Sequence, residues 1–163
     1  FFDAGFAYYQ GKNYEKADSI FDVFTDRYPD EVYGPMMQYN IHRALDSTME
    51  KGMAVPWAEK YLTLLEKDTA KNKKTIIGVA SYLASYHANI VKDREKALEY
   101  LRKMLVLDPT NEIIKNNISV LEKAPATKPP SPSKGGAAPA PAKAGSPKPS
   151  AKAITHKEIP IKT

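Results

Sequence analysis

Phe1-Phe2-Asp3-Ala4-Gly5-Phe6-Ala7-Tyr8-Tyr9-Gln10-Gly11-Lys12-Asn13, running on through Glu15-Lys16-Ala17, Phe21 and Phe24 to Pro29, is the stretch that decides the fold. Phe1, Ala4, Gly5 and Tyr8 recur at helical spacing in its first half, and Ala17, Phe21 and Phe24 in its second. Residues three and four apart share a helix face, so each half is expected to be an amphipathic helix. Gly11-Lys12-Asn13 breaks the chain between them, and Pro29 stops the second helix. Together they predict an antiparallel pair. The small residues Gly5 and Ala17 let the helices approach, while Tyr8, Phe21 and Phe24 fill the space between them.

Outward from this stretch the pattern returns. Glu15-Lys16-Ala17-x3-Phe21-x2-Phe24…Pro29 recurs as Glu95-Lys96-Ala97-x3-Leu101-x2-Met104…Pro109. Ala80-x2-Leu83-Ala84-x2-His87 supplies the preceding helix, with one extra residue to place in the turn over 88–94. A divergent copy lies between, with helices expected near Tyr33–Leu45 and Val55–Asp68. There Ala58-x3-Leu62-x2-Leu65 repeats the second-helix pattern, Asp46–Ala54 lengthens the turn, and no proline closes the unit. Asp108-Pro109-Thr110-Asn111-Glu112 is a helix-start signal. The helix that follows carries Ile113, Ile114, Ile118 and Leu121, with Lys115, Asn116, Asn117 and Lys123 expected outward as a cap on the last pair. The expected organisation is a helical domain over 1–123, made of repeats 1–31, 32–70 and 73–109 and a capping helix 110–123. Phe1, Phe2 and Phe6 have no such cap, which predicts that they pack on preceding repeats of a longer scaffold.

Phe1, Ala4, Gly5, Tyr8, Ala17, Phe21 and Pro29 stand at the anchors of W-x2-L-G-x2-Y…A-x3-F…P, with Phe for Trp and Ala for Leu. The chain therefore resembles the tetratricopeptide repeat family, which implies an all-α solenoid of about three helix pairs plus a cap. A narrower likeness covers roughly 30–123. Leu45-Asp46…Lys51-Gly52…Pro56-Trp57-Ala58-Glu59-Lys60-Tyr61, Asp68…Lys73-Lys74 and Ala80-x-Tyr82-Leu83 resemble the C-terminal region of tetratricopeptide proteins from bacterial cell envelopes. That likeness implies a periplasmic address and a place in an envelope assembly.

Composition divides the chain at Lys123. The last forty residues hold seven lysines, one acid, nine of the thirteen prolines and no aromatic residue. That leaves 17 of the 24 basic and 18 of the 19 acidic residues in 1–123, so the net charge of +5 belongs to the tail. Such a tail cannot bury enough apolar surface to offset its ordering entropy, and disorder is its default. The expectation is a Pro/Ala/Lys-rich linker over 124–152 and a short terminal segment over 153–163. Ala153-Ile154-Thr155-His156-Lys157-Glu158-Ile159-Pro160-Ile161 regains β-branched residues and is a candidate docking peptide for a partner's sheet edge. With no cysteine, disulfides and thiolate metal sites are excluded. The apolar runs fall far short of a membrane span.

The sequence offers no catalytic constellation. His42, His87 and His156 do not stand at metal-ligand spacing, and no phosphate loop, nucleophile elbow or H-E-x-x-H pattern occurs. His87 takes the place of Tyr8 in the third copy and is expected to pack or lie half-exposed. Asp22 and Asp26 are i,i+4 on what reads as a solvated face. No cofactor, metal or small-molecule substrate is expected. By resemblance to the family, the first helices line a concave face that holds a protein partner. That face would include Phe2, Phe6, Tyr9 and Gln10 in the first copy, Gln38 and His42 in the second, and Ser81, Ser85 and Asn89 in the third. The first set is aromatic rather than cationic, unlike the family members that clamp a terminal carboxylate. The expected function is a non-enzymatic interaction scaffold. Its rival is a polyanion binder acting through the basic tail.

Overall fold

A computed structural model describes residues 2–124 of the chain. Seven α-helices follow one another among them: α1 (Phe2–Gln10), α2 (Tyr14–Arg27), α3 (Tyr33–Leu45), α4 (Val55–Leu65), α5 (Thr69–Tyr86), α6 (Arg94–Leu107) and α7 (Glu112–Lys123). A 3-10 turn over Glu66–Asp68 extends α4, and a π-helical turn over His87–Val91 extends α5. Each helix packs chiefly on its neighbours in the chain. This is the contact pattern of a repeat array, and no strand occurs among the described residues. The tail beyond Ala124, with the linker and docking-peptide expectations placed on it, lies outside the described residues.

Short polar residues set the helix starts. The side chains of Asn13, Asp68, Asp93 and Asn111 each accept a hydrogen bond from the backbone N–H three residues on, opening α2, α5, α6 and α7. Such a cap is worth about 1 kcal/mol. With Asp68 as its cap, α5 begins at Thr69, four residues before the expected repeat start at residue 73. Before α2 and α6 the left-handed turn residue is a lysine, Lys12 (φ 58°, beside Gly11) and Lys92 (φ 61°).

The extra residue of the third copy has a definite place. In the first repeat the Asn13 N–H bonds to Tyr8 O (2.9 Å), whereas in the third the Asp93 N–H reaches His87 O (2.8 Å), one residue farther along the chain. The π-turn over His87–Val91 absorbs the insertion, so α5 and α6 still pack in register. The lengthened turn of the second copy is held differently. Asp46 is buried, and its Oδ2 accepts from the backbone N–H groups of Lys51 (3.1 Å) and Met53 (3.2 Å). Gly52 (φ +63°) follows, with the Tyr86 hydroxyl where a Cβ would stand.

Two apolar cores result. Ala17, Phe21, Met37 and Ile41 form the first, with Phe2, Tyr9, Tyr14 and Phe24 packed around them. Gly5 lies directly on the Phe21 ring. The second runs from Tyr39 through Ala58, Leu62, Leu65, Ala84, Leu101 and Met104 to Ile114 and Ile118. Ala97 of α6 is fully buried. The contact of α2 with α3, which the first core spans, is partly polar. Gln38 Nε2 donates to Asp22 Oδ1 at 2.7 Å, His42 Nε2 lies 3.1 Å from Asp18 Oδ1, and Thr25 is buried against Gly34.

Two packing expectations change. Tyr8 does not fill the space between α1 and α2: it sits in the last turn of α1, 38% exposed, with Lys16 Nζ 5.3 Å from its ring centroid. The contact of Gly5 with Phe21 has already closed that space. Ile113 points away from the core and is 73% exposed, because Ile114, Ile118 and Leu121 take the inward positions of α7. Pro29 and Pro109 lie on exposed turns just past the ends of α2 and α6.

Candidate partner-binding face

Residues of the first helices help to line two clefts. The first cleft, of about 360 Å³, brings together Tyr9 of α1, Asn40, Arg43 and Ala44 of α3, Tyr82 of α5, and Asp46, Ser47 and Met49 of the long turn. Arg43 lies over two rings, its guanidinium carbon 5.2 Å from the Tyr39 centroid and 5.4 Å from that of Tyr82. Those rings meet edge to face at 5.3 Å. The Tyr82 hydroxyl is buried and has no hydrogen-bond partner among the described residues. Burial, with lesser contributions from Tyr39 and Asp46, pushes its pKa up to about 12. It therefore keeps its proton at any ordinary pH and can donate one hydrogen bond.

The second cleft, of about 250 Å³, lies between α5 and α7 over a floor of Leu101 and Met104. Ser81, Ser85 and Asn89 line it on one side, and Asn117, Val120 and Leu121 on the other. All three residues expected on this face of the third copy thus fall in one cleft. Small side chains on α5 leave the opening.

The first-copy residues form an aromatic run. Phe2 and Phe6 stack at 6.1 Å, and Phe6 stacks on Tyr9 at 6.5 Å. Phe2 is turned inward and makes edge contacts with Phe21 (5.9 Å), Phe24 (6.5 Å) and Tyr33 (5.5 Å), whereas Phe6 is 38% exposed. Gln10 is exposed at the end of α1.

The second-copy residues are not where the sequence placed them. Gln38 is wholly buried, because Gly34, Gln38 and Ile41 share the α3 face that packs on α2. His42 is also largely enclosed, stacked on Trp57 at 6.1 Å with Asp18 on its Nε2. Neither is free to meet a partner. Asn40 and Arg43 hold the open positions instead. The spacing Tyr33, Asn40, Ala44, which follows the exposed side of α3, was the signal that could have found them.

His87 begins the π-turn, stacked on Tyr100 (5.8 Å), whose hydroxyl donates to Glu59 Oε1 at 3.1 Å. Both imidazole nitrogens are buried without a partner. Desolvation lowers the His87 pKa, opposed by Asp93, Glu59 and Glu99 and assisted by Lys96. No group of three or more His, Asp or Glu side chains able to hold a metal occurs among the described residues. No described helix is long and apolar enough to cross a membrane.

Residues 1–31 match the family model of the tetratricopeptide repeat. Among solved structures, the chain is similar to the C-terminal part of a TPR repeat-containing protein from Cytophaga hutchinsonii, with a TM-score of 0.64 at 32% identity over 71% of the chain. The chain carries a tetratricopeptide-repeat fold. It spans 45% of the length of that Cytophaga chain. No curated protein matches. Tetratricopeptide-repeat folds generally mediate protein–protein interactions and are generally non-catalytic.

Proposed function

We propose that the chain is an interaction scaffold whose first-helix face holds a protein partner, as part of a bacterial envelope assembly. The observation that carries this reading is the pair of clefts flanking α5, both opened by the exposed sides of first helices and α7. The likeness to a Cytophaga repeat protein supports a bacterial setting. The likeness of residues 30–123 to envelope repeat proteins supports the periplasmic one.

The rival reading, polyanion binding, rests on the seven lysines beyond Lys123. A partner recovered with the native protein separates the two when its affinity is measured with and without residues 124–163. Affinity retained by the shortened chain supports the scaffold. Complete loss, with a steep salt dependence before the deletion, supports the polyanion reading.

A further inference from the structure

We propose that the π-turn over His87–Val91 is a proton-operated switch that links the ring of His87 to the shape of the cleft between α5 and α7; this goes beyond the scaffold reading and does not depend on it. The turn reaches both places at once. His87 opens it against Tyr100, whereas the next two residues, Ala88 and Asn89, line the cleft.

His87 is held by packing alone. Its ring stacks on Tyr100 at 5.8 Å and meets Tyr86 edge to face at 5.3 Å, and neither nitrogen has a hydrogen-bond partner among the described residues. A second proton would turn both nitrogens into donors and place a charge where they are shut off from water. The charged groups around the ring are Asp93 before α6, Lys96 and Glu99 on α6, and Glu59 on α4. Each acid is already engaged: Glu59 by the Tyr100 hydroxyl (3.1 Å), Glu99 by Lys96 Nζ (2.9 Å) and Asp93 by the Lys96 backbone N–H (3.0 Å). None of them contacts a ring nitrogen. A protonated ring therefore has to leave its seat.

The backbone carries that movement to the cleft. The His87 carbonyl accepts from the N–H groups of Lys92 and Asp93, the latter at 2.8 Å, and these bonds close the turn. The residue that must move on protonation is thus the one on which the turn is closed. A π-turn also holds one residue more than α geometry needs, so it can re-form with Ala88 and Asn89 aimed differently. Desolvation lowers the His87 pKa, which keeps the seated ring neutral at pH 7 and makes acidification the trigger.

The test follows the isotopically labelled full chain by NMR between pH 7 and pH 5. The His87 ring reports its own protonation. The Asn117 side-chain amide and the Val120 methyl groups report the far wall of the cleft, which belongs to α7. These far-wall signals are expected to shift with the midpoint of the His87 ring, below the ordinary value near 6.5. His87→Phe keeps a ring on Tyr100 and should hold them still. Removing Ile90 takes the surplus residue out of the turn and should leave the ring titrating while the far wall no longer follows.

A far wall that does not follow the ring, that shifts equally in His87→Phe, or that still follows once Ile90 is gone would overturn the switch. So would a His87 ring that does not titrate in this window. The scaffold reading is decided separately, by the partner recovered with the native protein.

Discussion

Gly5 faces Phe21 so closely that a Cβ at residue 5 would stand 2.8 Å from the ring's Cε2. That single contact fixes the distance between α1 and α2. It also explains why the pattern has glycine there, inside a helix where alanine would have the better propensity.

Substitution at two of the helical glycines, Gly5 and Gly78, is therefore expected to act in opposite directions. Gly5→Ala forces the Phe21 ring or the helix to move and should cost about 1–3 kcal/mol. Gly78→Ala meets open space and should gain up to about 1 kcal/mol of helix propensity. Ala17→Glu, which buries a charge at a site with no exposure, should melt the first repeat outright. Thermal melts followed by circular dichroism give all three. A Gly5→Ala variant as stable as the parent would refute the packing described for this pair.

Asp46 ties the inserted turn together through two backbone N–H groups. Asp46→Ala leaves both unpaired and is expected to cost about 1–3 kcal/mol. Hydrogen exchange should accelerate at Lys51 and Met53 and leave α1 and α2 unchanged. Uniform acceleration across the array would mean that the turn is not a separate element of stability.

His87 makes stability depend on pH. Its folded pKa lies below the ordinary value near 6.5, so the unfolded chain binds the proton more tightly. The stabilisation from keeping this ring neutral is complete above the unfolded pKa and is lost as the pH falls below it toward the lowered folded value. His87→Phe keeps a ring on Tyr100 and removes both orphaned nitrogens. Urea melts between pH 7 and pH 5 should show a smaller loss of stability for this variant than for the parent. Parallel curves would show that His87 does not titrate in the fold as described.

The π-turn predicts that one deletion is tolerated where others are not. Removing Ile90 restores the turn length of the first repeat, converts the π-turn to α geometry, and should change stability by about 1 kcal/mol or less. Removing Glu99 from α6 rotates Leu101 and Met104 out of the core and should unfold the third repeat. Melting curves of the two deletions decide the point.

The fold was legible because its anchors are local. Gly5, Ala17, Phe21 and Pro29, and later Ala97, Leu101, Met104 and Pro109, act within one helix pair, and their spacing alone states which faces meet. That Ser81, Ser85 and Asn89 share one helix side was legible for the same reason, and they line one cleft. Gln38 and His42 were not. Their place depends on how α3 rolls against α2, which is set by the close approach of Gly34 to Thr25 and by the partners Asp22 and Asp18 in another repeat. Tyr8 was misplaced because the repeat pattern carries a residue type there but not its rotamer. The orphaned Tyr82 hydroxyl has no signature in one dimension.

The partly polar contact between α2 and α3 has a mechanical meaning. Apolar surfaces resist separation by the area they would expose, whereas the bonds of Gln38 to Asp22 and of His42 to Asp18 can be exchanged for bonds to water at small net cost. Under load along the chain, the first helix pair is expected to part from the second at this contact, which opens the small first core of Ala17, Phe21, Met37 and Ile41 while the larger second core still holds. Trp57 stacks on His42 there and is the chain's one tryptophan, so its fluorescence would report the moment of parting.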